Sequence, residues 1–219
     1  MPPSPTKRPM RVIECEQGSL EWRQARAGVI TASRVNDVMA RIKSGEAAVH
    51  RNYRVEILVE RLTKEPTPDG YVSAEMLRGT EMEPLARVAY EMKQDVMVDQ
   101  VGFVLHPYLD YLGASPDGLV GDDGLVEIKC PNTATHLGYL LGRVAPSEYH
   151  NQMLTQMDCC EREWCDFVSY DNRVPERMQL FVVRLYRDDG RIEAIEKAVT
   201  EFDAEVREMA QNLEKCLDV

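Results

Sequence analysis

The sequence predicts one α/β domain in which a mixed β-sheet is flanked by helices. A chain of 219 residues suits a single domain with a sizeable core. Helical patterns precede residue 96, strand patterns dominate from there to residue 186, and a long amphipathic pattern ends the chain. Four prolines among the first nine residues predict a disordered tail over residues 1–10, which leaves residues 11–219 for the domain. Helices before and after a group of strands are typical of a sheet covered by helices.

The first part of the chain is predicted to be helical. Gly28 separates the first two helices, Thr31 caps the second, and Pro66 and Pro68 belong to a loop after the third. The predicted helices cover residues 19–26, 32–40, 46–63 and 81–93. The apolar face of the third helix is expected to contain Val49, Tyr53, Ile57 and Leu58.

Strands with one intervening helix make up the second part. The predicted strands cover residues 96–106, 111–115, 125–130, 164–170 and 179–186. A helix over residues 147–161 is expected between the third and fourth of them. The apolar residues of the final helix recur every three or four positions, and they are Ile192, Ile195, Val199, Phe202, Val206, Met209, Leu213 and Leu217.

Charge is distributed unevenly along the chain. The formal net charge of −11 would repel a polyanion such as DNA. Residues 1–54, however, hold 10 basic and 5 acidic side chains, a balance of +5, whereas residues 55–219 hold 16 and 32, a balance of −16. A basic first quarter is therefore available to face a nucleic acid. The apolar runs are far shorter than the roughly 18 residues that span a bilayer, which excludes a membrane protein.

The six cysteines indicate a reducing compartment. The first ten residues lack the apolar segment of a secretory signal, so we expect a cytoplasmic protein, in a bacterium or a phage-infected host, with reduced thiols. The cysteines lack C-x-x-C spacing and the four histidines are scattered, which disfavours a zinc or iron–sulfur site.

The most informative pattern lies in residues 115–131. Alternation along a strand places Glu127 and Lys129 on one face, and the G-D-D-G turn before them brings Asp117 beside Glu127. Two carboxylates and the Ile128 carbonyl form an oxygen-rich site suited to Mg²⁺. Such a site supports phosphodiester hydrolysis, in which Lys129 orients the attacking water or accepts its proton. A surface hairpin with a solvated ion pair would have the same residues.

Four stretches in order along the chain, residues 21–33, 79–84, 115–131 and 149–153, match one known pattern. Over residues 15–205 the chain resembles the phage λ exonuclease branch (alkaline exonuclease, YqaJ-type viral recombinase) of the PD-(D/E)xK nuclease superfamily. The resemblance implies a restriction-endonuclease-like core. It also implies a processive 5′ to 3′ exonuclease on linear double-stranded DNA that uses Mg²⁺, with Mn²⁺ able to substitute. A homotrimer that works with a single-strand annealing protein in phage-type recombination is expected from the same family.

The resemblance gives roles to the hydrolytic residues. Asp117 and Glu127 resemble the metal ligands of the family, and Lys129 resembles its water-orienting lysine. Glu83 resembles an additional acidic residue near the metal, although its spacing from Thr80 equally fits a capping box at a helix start. Gln152 resembles a glutamine beside the scissile phosphate; without the family it would be read as a surface residue.

Four further residues resemble those that hold the DNA end. Arg26, Ser33 and Ser115 match the residues that bind the terminal 5′-phosphate, and Trp22 matches an aromatic residue near that end. Guanidinium, hydroxyl and free backbone N–H groups at a helix start suit a phosphate dianion. The alternatives are a helix-end cation for Arg26 and a core position for Trp22.

The sequence is also compatible with two other functions. One is a structure- or sequence-specific endonuclease on the same fold, which a 5′-phosphate pocket at Arg26 disfavours. The other is a non-catalytic DNA-binding or interaction protein, which the intact Asp117, Glu127 and Lys129 disfavour. The final helix, with 10 acidic and 4 basic residues from Asp188 onward, is either a solvated face or a docking surface for the annealing partner.

Overall fold

The computed structural model describes residues 9–43, 45–68, 70 and 73–217. The helices are α1 (Leu20–Arg26), α2 (Val35–Met39), α3 (Ala48–Thr63), α4 (Ala74–Gln94), α5 (Thr133–Gly142), α6 (Ser147–Cys159) and α7 (Asp189–Leu217). The strands are β1 (Arg11–Ile13), β2 (Ile30–Thr31), β3 (Val98–Asp99), β4 (Phe103–Leu105), β5 (Leu112–Ala114), β6 (Gly118–Val120), β7 (Gly124–Lys129), β8 (Trp164–Tyr170) and β9 (Leu180–Tyr186). Residues 1–8 of the predicted tail lie outside the described residues, and Met10 packs against the core.

The described strands form two mixed sheets flanked by helices, which confirms the predicted fold class. The smaller sheet has the order β1-β4-β5-β2, and the larger sheet has the order β3-β6-β7-β8-β9. Strand β2 runs parallel to β5, strand β7 runs parallel to β8, and the other pairs are antiparallel. The parallel connection from β7 to β8 passes through α5 and α6, as a crossover between parallel strands requires.

The predicted strand over residues 96–106 is divided between the two sheets. Its first part is β3 in the larger sheet and its second part is β4 in the smaller sheet. Gly102 lies between them, and a Cβ at this position would lie 2.3 Å from the Ile13 carbonyl oxygen. The backbone of β1 therefore approaches so closely that only glycine fits where the chain passes from one sheet to the other.

Strand β7 separates two hydrophobic layers. Val126 and Ile128 pack with Tyr90 of α4 on one face of the larger sheet. Leu125 points to the opposite face and joins the main core, which also contains apolar residues of α6 and α7. The predicted alternation is confirmed, and Glu127, on the same face as Leu125, is only 1% exposed. A carboxylate is thus held inside the protein at the centre of the sheet.

Helix α4 is longer than predicted. It begins at Ala74, seven residues before the predicted start, and Ser73 caps it by accepting a hydrogen bond from the Met76 amide. Pro84 lies inside the helix. Thr80, in the second turn, donates its hydroxyl to the Met76 carbonyl. The capping-box alternative for Glu83 is therefore wrong.

Smaller departures occur at element ends. Thr31 lies in β2 and makes no side-chain cap, because a 3₁₀ turn (Ala32–Arg34) precedes α2. Val49 is exposed, unlike the other predicted face residues of α3, and Leu213 and Leu217 of the final helix are also exposed. Among the described helices, none has the length and apolar character needed to cross a membrane.

Candidate active site

The hairpin of β6 and β7 positions the first carboxylate. Gly118 pairs with Val126, so Asp117, one residue earlier, lies opposite Glu127 as predicted. Asp117 Oδ2 accepts a hydrogen bond at 2.6 Å from the backbone amide of Ile128, which lies in β7. Because the N–H and C=O groups of a strand residue point to the same edge, the Ile128 carbonyl also faces this side. The Asp117 carboxylate therefore lies against the backbone of Ile128, with Glu127 opposite.

Three donors contact the Glu127 carboxylate. Lys129 Nζ lies 2.5 Å from Glu127 Oε1. Gln152 donates its Nε2 to the same oxygen at 2.6 Å, and Gln156 donates its Nε2 to Oε2 at 2.6 Å. Gln152 and Gln156 lie one helical turn apart on α6, so both face the carboxylate. Lys129 Nζ also lies 5.3 Å from the ring centroid of Tyr149.

The local electrostatics favour a bound cation. Removal from water and then the negative charge of Glu127 raise the pKa of Asp117 well above its usual range. Burial alone would lower the pKa of Lys129, but the adjacent Glu127 and Asp117 carboxylates outweigh it and raise that pKa. One ammonium group thus faces two carboxylates. The donor set consists of carboxylate and carbonyl oxygens, which fits a hard divalent cation such as Mg²⁺.

The predicted phosphate-binding residues line the same cavity as the carboxylates. The cavity has a volume of about 180 Å³. Trp22 donates its Nε1 to Ser115 Oγ at 2.8 Å, and the Arg26 guanidinium carbon lies 3.9 Å from the Trp22 ring centroid. Trp22 is half-buried in the cavity wall and joins the two phosphate candidates. The cavity is lined by Gln17, Trp22, Arg26, Thr31, Ala32, Ser33, Ser115, Asp117, Glu127, Lys129, Gln152 and Gln156.

The backbone conformation of Gly28 determines how the chain turns after α1. Gly28 has φ +76°, and a Cβ there would lie 2.8 Å from Arg61 Cγ. Its amide donates to Glu60 Oε2 and its carbonyl accepts from Arg61 Nε, both at 2.8 Å. The other oxygen of Glu60 accepts from the Thr67 amide at 2.8 Å. Glu60 and Arg61 therefore hold the turn that follows Arg26.

A second cavity of about 460 Å³ adjoins the first. Trp22, Arg26, Thr31 and Ser33 line both of them. Its other walls come from α3 and from the proline-rich segment after it. The phosphate candidates thus stand between the carboxylates and a wider opening.

Ile128 and Glu83 are the predicted site residues that do not line the cavity. Glu83 lies on α4. Its carboxylate accepts from Arg87 Nη2 at 2.5 Å, within α4. It lies close enough for its charge to raise the pKa of Asp117. Sequence reasoning missed Gln156 and Gln17 among the polar lining residues. The spacing of four from Gln152 was a usable signal for Gln156, whereas Gln17 had none.

Two other groups of histidine and carboxylate side chains lie outside this cavity. Arg54 donates to Glu205 and lies 2.8 Å from Glu46, so it occupies the centre of one group. In the other, His106 Nδ1 accepts two backbone amides and its Nε2 contacts Asp158 at 2.9 Å. A neutral imidazole with that arrangement has no lone pair left for a metal. Both groups are ion-pair networks that join helices.

The chain is similar to a known family and to solved structures. A family model described as the YqaJ-like viral recombinase domain matches residues 21–163. The alkaline exonuclease LHK-Exo from Laribacter hongkongensis is 46% identical, with 91% of this chain and 98% of that chain covered and a TM-score of 0.84. The structure of LHK-Exo in complex with dAMP has the same identity and coverage and a TM-score of 0.85.

More distant relatives are also found. A phage-related exonuclease from Haemophilus somnus is 13% identical, with 84% of this chain and 96% of that chain covered and a TM-score of 0.67, and this likeness supports the fold alone. An uncharacterized protein of Acanthamoeba polyphaga mimivirus is 24% identical over 172 residues, or 72% of this chain. The chain spans 30% of the length of that relative.

Proposed function

The chain belongs to the YqaJ-like viral recombinase family, and from that membership we propose that it is a Mg²⁺-dependent, processive 5′ to 3′ exonuclease on linear double-stranded DNA. It shares its fold, and 46% of its sequence, with the alkaline exonuclease LHK-Exo. The observation that carries the proposal is the single cavity shared by Asp117, Glu127, Lys129 and Arg26. A phosphate-binding group beside hydrolytic carboxylates suits an enzyme that holds a chain end while it cuts.

The chemistry follows from the residues that line the cavity. Asp117, Glu127 and the Ile128 carbonyl would hold Mg²⁺, which when bound acidifies water and neutralises charge on the phosphoryl oxygens. Lys129 contacts Glu127 and lines the same cavity, so it would orient the attacking water or accept its proton. Gln152 holds Glu127 and faces the same space.

End recognition would determine the direction of digestion. Arg26 with Ser33 and Ser115 would bind the terminal 5′-phosphate, and Trp22 would contact the end nucleotide. A terminal phosphate held by these residues would determine which phosphodiester bond reaches the carboxylates in the same cavity. One strand would be degraded and a 3′ single-stranded overhang left for recombination. We place this reaction in the cytoplasm, together with a single-strand annealing protein that binds the overhang.

Digestion of matched linear and circular duplexes tests this function. We expect a 5′-labelled linear duplex to lose its label as mononucleotide in Mg²⁺, while the covalently closed circle of the same sequence stays intact. An endonuclease on the same fold would nick or linearise the circle. A non-catalytic protein would leave both unchanged.

The metal preference provides a separate prediction. Mg²⁺ and Mn²⁺ are expected to support hydrolysis, whereas Ca²⁺ supports stable DNA binding without turnover, because its longer and looser coordination positions water poorly. Rates and DNA retention are measured for one enzyme preparation in each ion. Full turnover in Ca²⁺, or activity that survives excess EDTA, would contradict the mechanism.

A homotrimeric ring would explain how a chain with a net charge of −11 retains DNA. Ring closure needs a heterologous interface, in which two different surfaces of the chain meet. Two exposed apolar stripes support this: one on α4, which packs on the larger sheet, and one on α3, which packs on α2 and α7. The stripes consist of Leu77, Leu85, Val88 and Met92 on α4 and of Val55, Val59 and Leu62 on α3.

The Val88→Arg variant tests the ring. We expect light scattering to give three times 25.0 kDa for the wild-type protein and a single chain mass for the variant, because a buried guanidinium disrupts an apolar interface. Processivity should fall with it. Leu141→Arg is the matched control, since Leu141 is exposed on α5 outside both stripes. A wild-type monomer that remains processive would refute the ring.

A further inference from the structure

Gln156 has an unusual position in the cavity wall. Its side chain is only 1% exposed and donates its amide nitrogen to Glu127 Oε2 at 2.6 Å. Its carbonyl oxygen, Oε1, is buried and has no hydrogen-bond partner among the described residues. A buried amide oxygen without a donor is costly, so native proteins rarely keep one unless another molecule supplies the donor.

The orientation of this amide is fixed by chemistry. An ionised carboxylate only accepts hydrogen bonds, so the NH₂ group of Gln156 must face Glu127. The oxygen then has to point away from Glu127. Gln156 lines the cavity with Asp117, Lys129 and Gln152, and a volume of about 180 Å³ is enough for several water molecules.

We propose that Gln156 is a positioning residue for hydrolysis: its nitrogen fixes Glu127, and its oxygen accepts a hydrogen bond from water of the hydrated divalent cation. This rests on the proposed function, since it requires a metal at Asp117 and Glu127. Gln152 and Gln156 would divide the work, because each holds one oxygen of Glu127. Of the two, Gln156 is the one whose amide oxygen is buried without a described donor.

The Gln156→Met variant tests this, because methionine has a similar length and no amide. We expect the dissociation constant for Mn²⁺, measured by calorimetry without DNA, to rise roughly tenfold. The Mg²⁺ concentration for half-maximal rate should rise in parallel, while the KM for DNA and the melting temperature stay close to wild type. Gln156→Asn keeps an amide too short to reach both partners, and it should weaken metal binding in the same way if the methionine variant does not fold.

Thr155→Val is the matched control for packing. Thr155 is buried on the same helix, and among the described residues its hydroxyl donates only to the Asn151 carbonyl one turn earlier, so this variant should bind Mn²⁺ like wild type. Unchanged Mn²⁺ binding and Mg²⁺ dependence in folded Gln156→Met would overturn the proposal. If wild type itself binds no metal and digests no DNA, the proposed function fails instead.

Discussion

Hydrolysis of linear duplex is expected to fall roughly 10²- to 10³-fold when either Lys129 or Asp117 is replaced by alanine, which corresponds to about 3 to 4 kcal/mol of lost transition-state stabilisation. Lys129 Nζ contacts Glu127, and Asp117 lies opposite that residue at the end of the hairpin. Neither side chain belongs to the hydrophobic clusters. The fold should therefore persist in both variants.

The measurement is the initial rate in saturating Mg²⁺, with DNA binding followed separately in Ca²⁺. DNA binding should remain within a few-fold of wild type, since the phosphate candidates are unchanged. Lys197→Ala removes an equal charge from an exposed position on α7 and serves as the control. Digestion near the wild-type rate by either alanine variant would remove Asp117 and Lys129 from the mechanism.

The second large effect concerns the 5′-phosphate. Replacement of Arg26 by alanine is expected to remove charge-assisted hydrogen bonds worth about 1.5 to 3 kcal/mol, roughly a 10- to 150-fold loss of rate on 5′-phosphorylated ends. Ends with a 5′-hydroxyl never make this contact, so their slower hydrolysis should change much less. The carboxylate cluster is untouched, and residual activity should persist.

Matched duplexes that differ only in the terminal phosphate provide the assay. Arg41→Ala is the control for general basic charge, because Arg41 is exposed after α2 and does not line either cavity. A wild-type enzyme without preference for phosphorylated ends would contradict the end-recognition mechanism. Equal losses on both ends in Arg26→Ala would make that residue a general DNA contact or a helix-end cation.

The centre of the fold could be predicted because its signals are local. Strand β8 matches its predicted bounds, and β7 and β9 differ from theirs by one residue. Alternation along β7 and the turn before it were sufficient to bring Asp117 beside Glu127. These features depend on residues close together in the chain, where side-chain period and turn chemistry determine the structure.

Features that depend on distant partners could not be predicted. Strands β1 and β2 have three and two residues, too few for a periodic pattern, and they exist because β4 and β5 pair with them. Glu60 resembled an ordinary polar residue of α3, yet its two oxygens hold Gly28 and Thr67. A side chain that satisfies a backbone amide 32 residues away leaves no trace in local sequence.

The residues proposed to hold the DNA end and the residues proposed for hydrolysis lie on elements that are expected to differ in how readily they unfold locally. Trp22 and Arg26 belong to a seven-residue helix without a fully buried residue, whereas Glu127 and Lys129 lie on the central strand of a five-stranded sheet. Segments with few buried contacts exchange their amide hydrogens through small fluctuations, and central strands exchange only when the whole domain unfolds. Under the proposed function, we therefore expect α1 to move more readily than the hydrolytic groups when one DNA terminus is released and the next is captured.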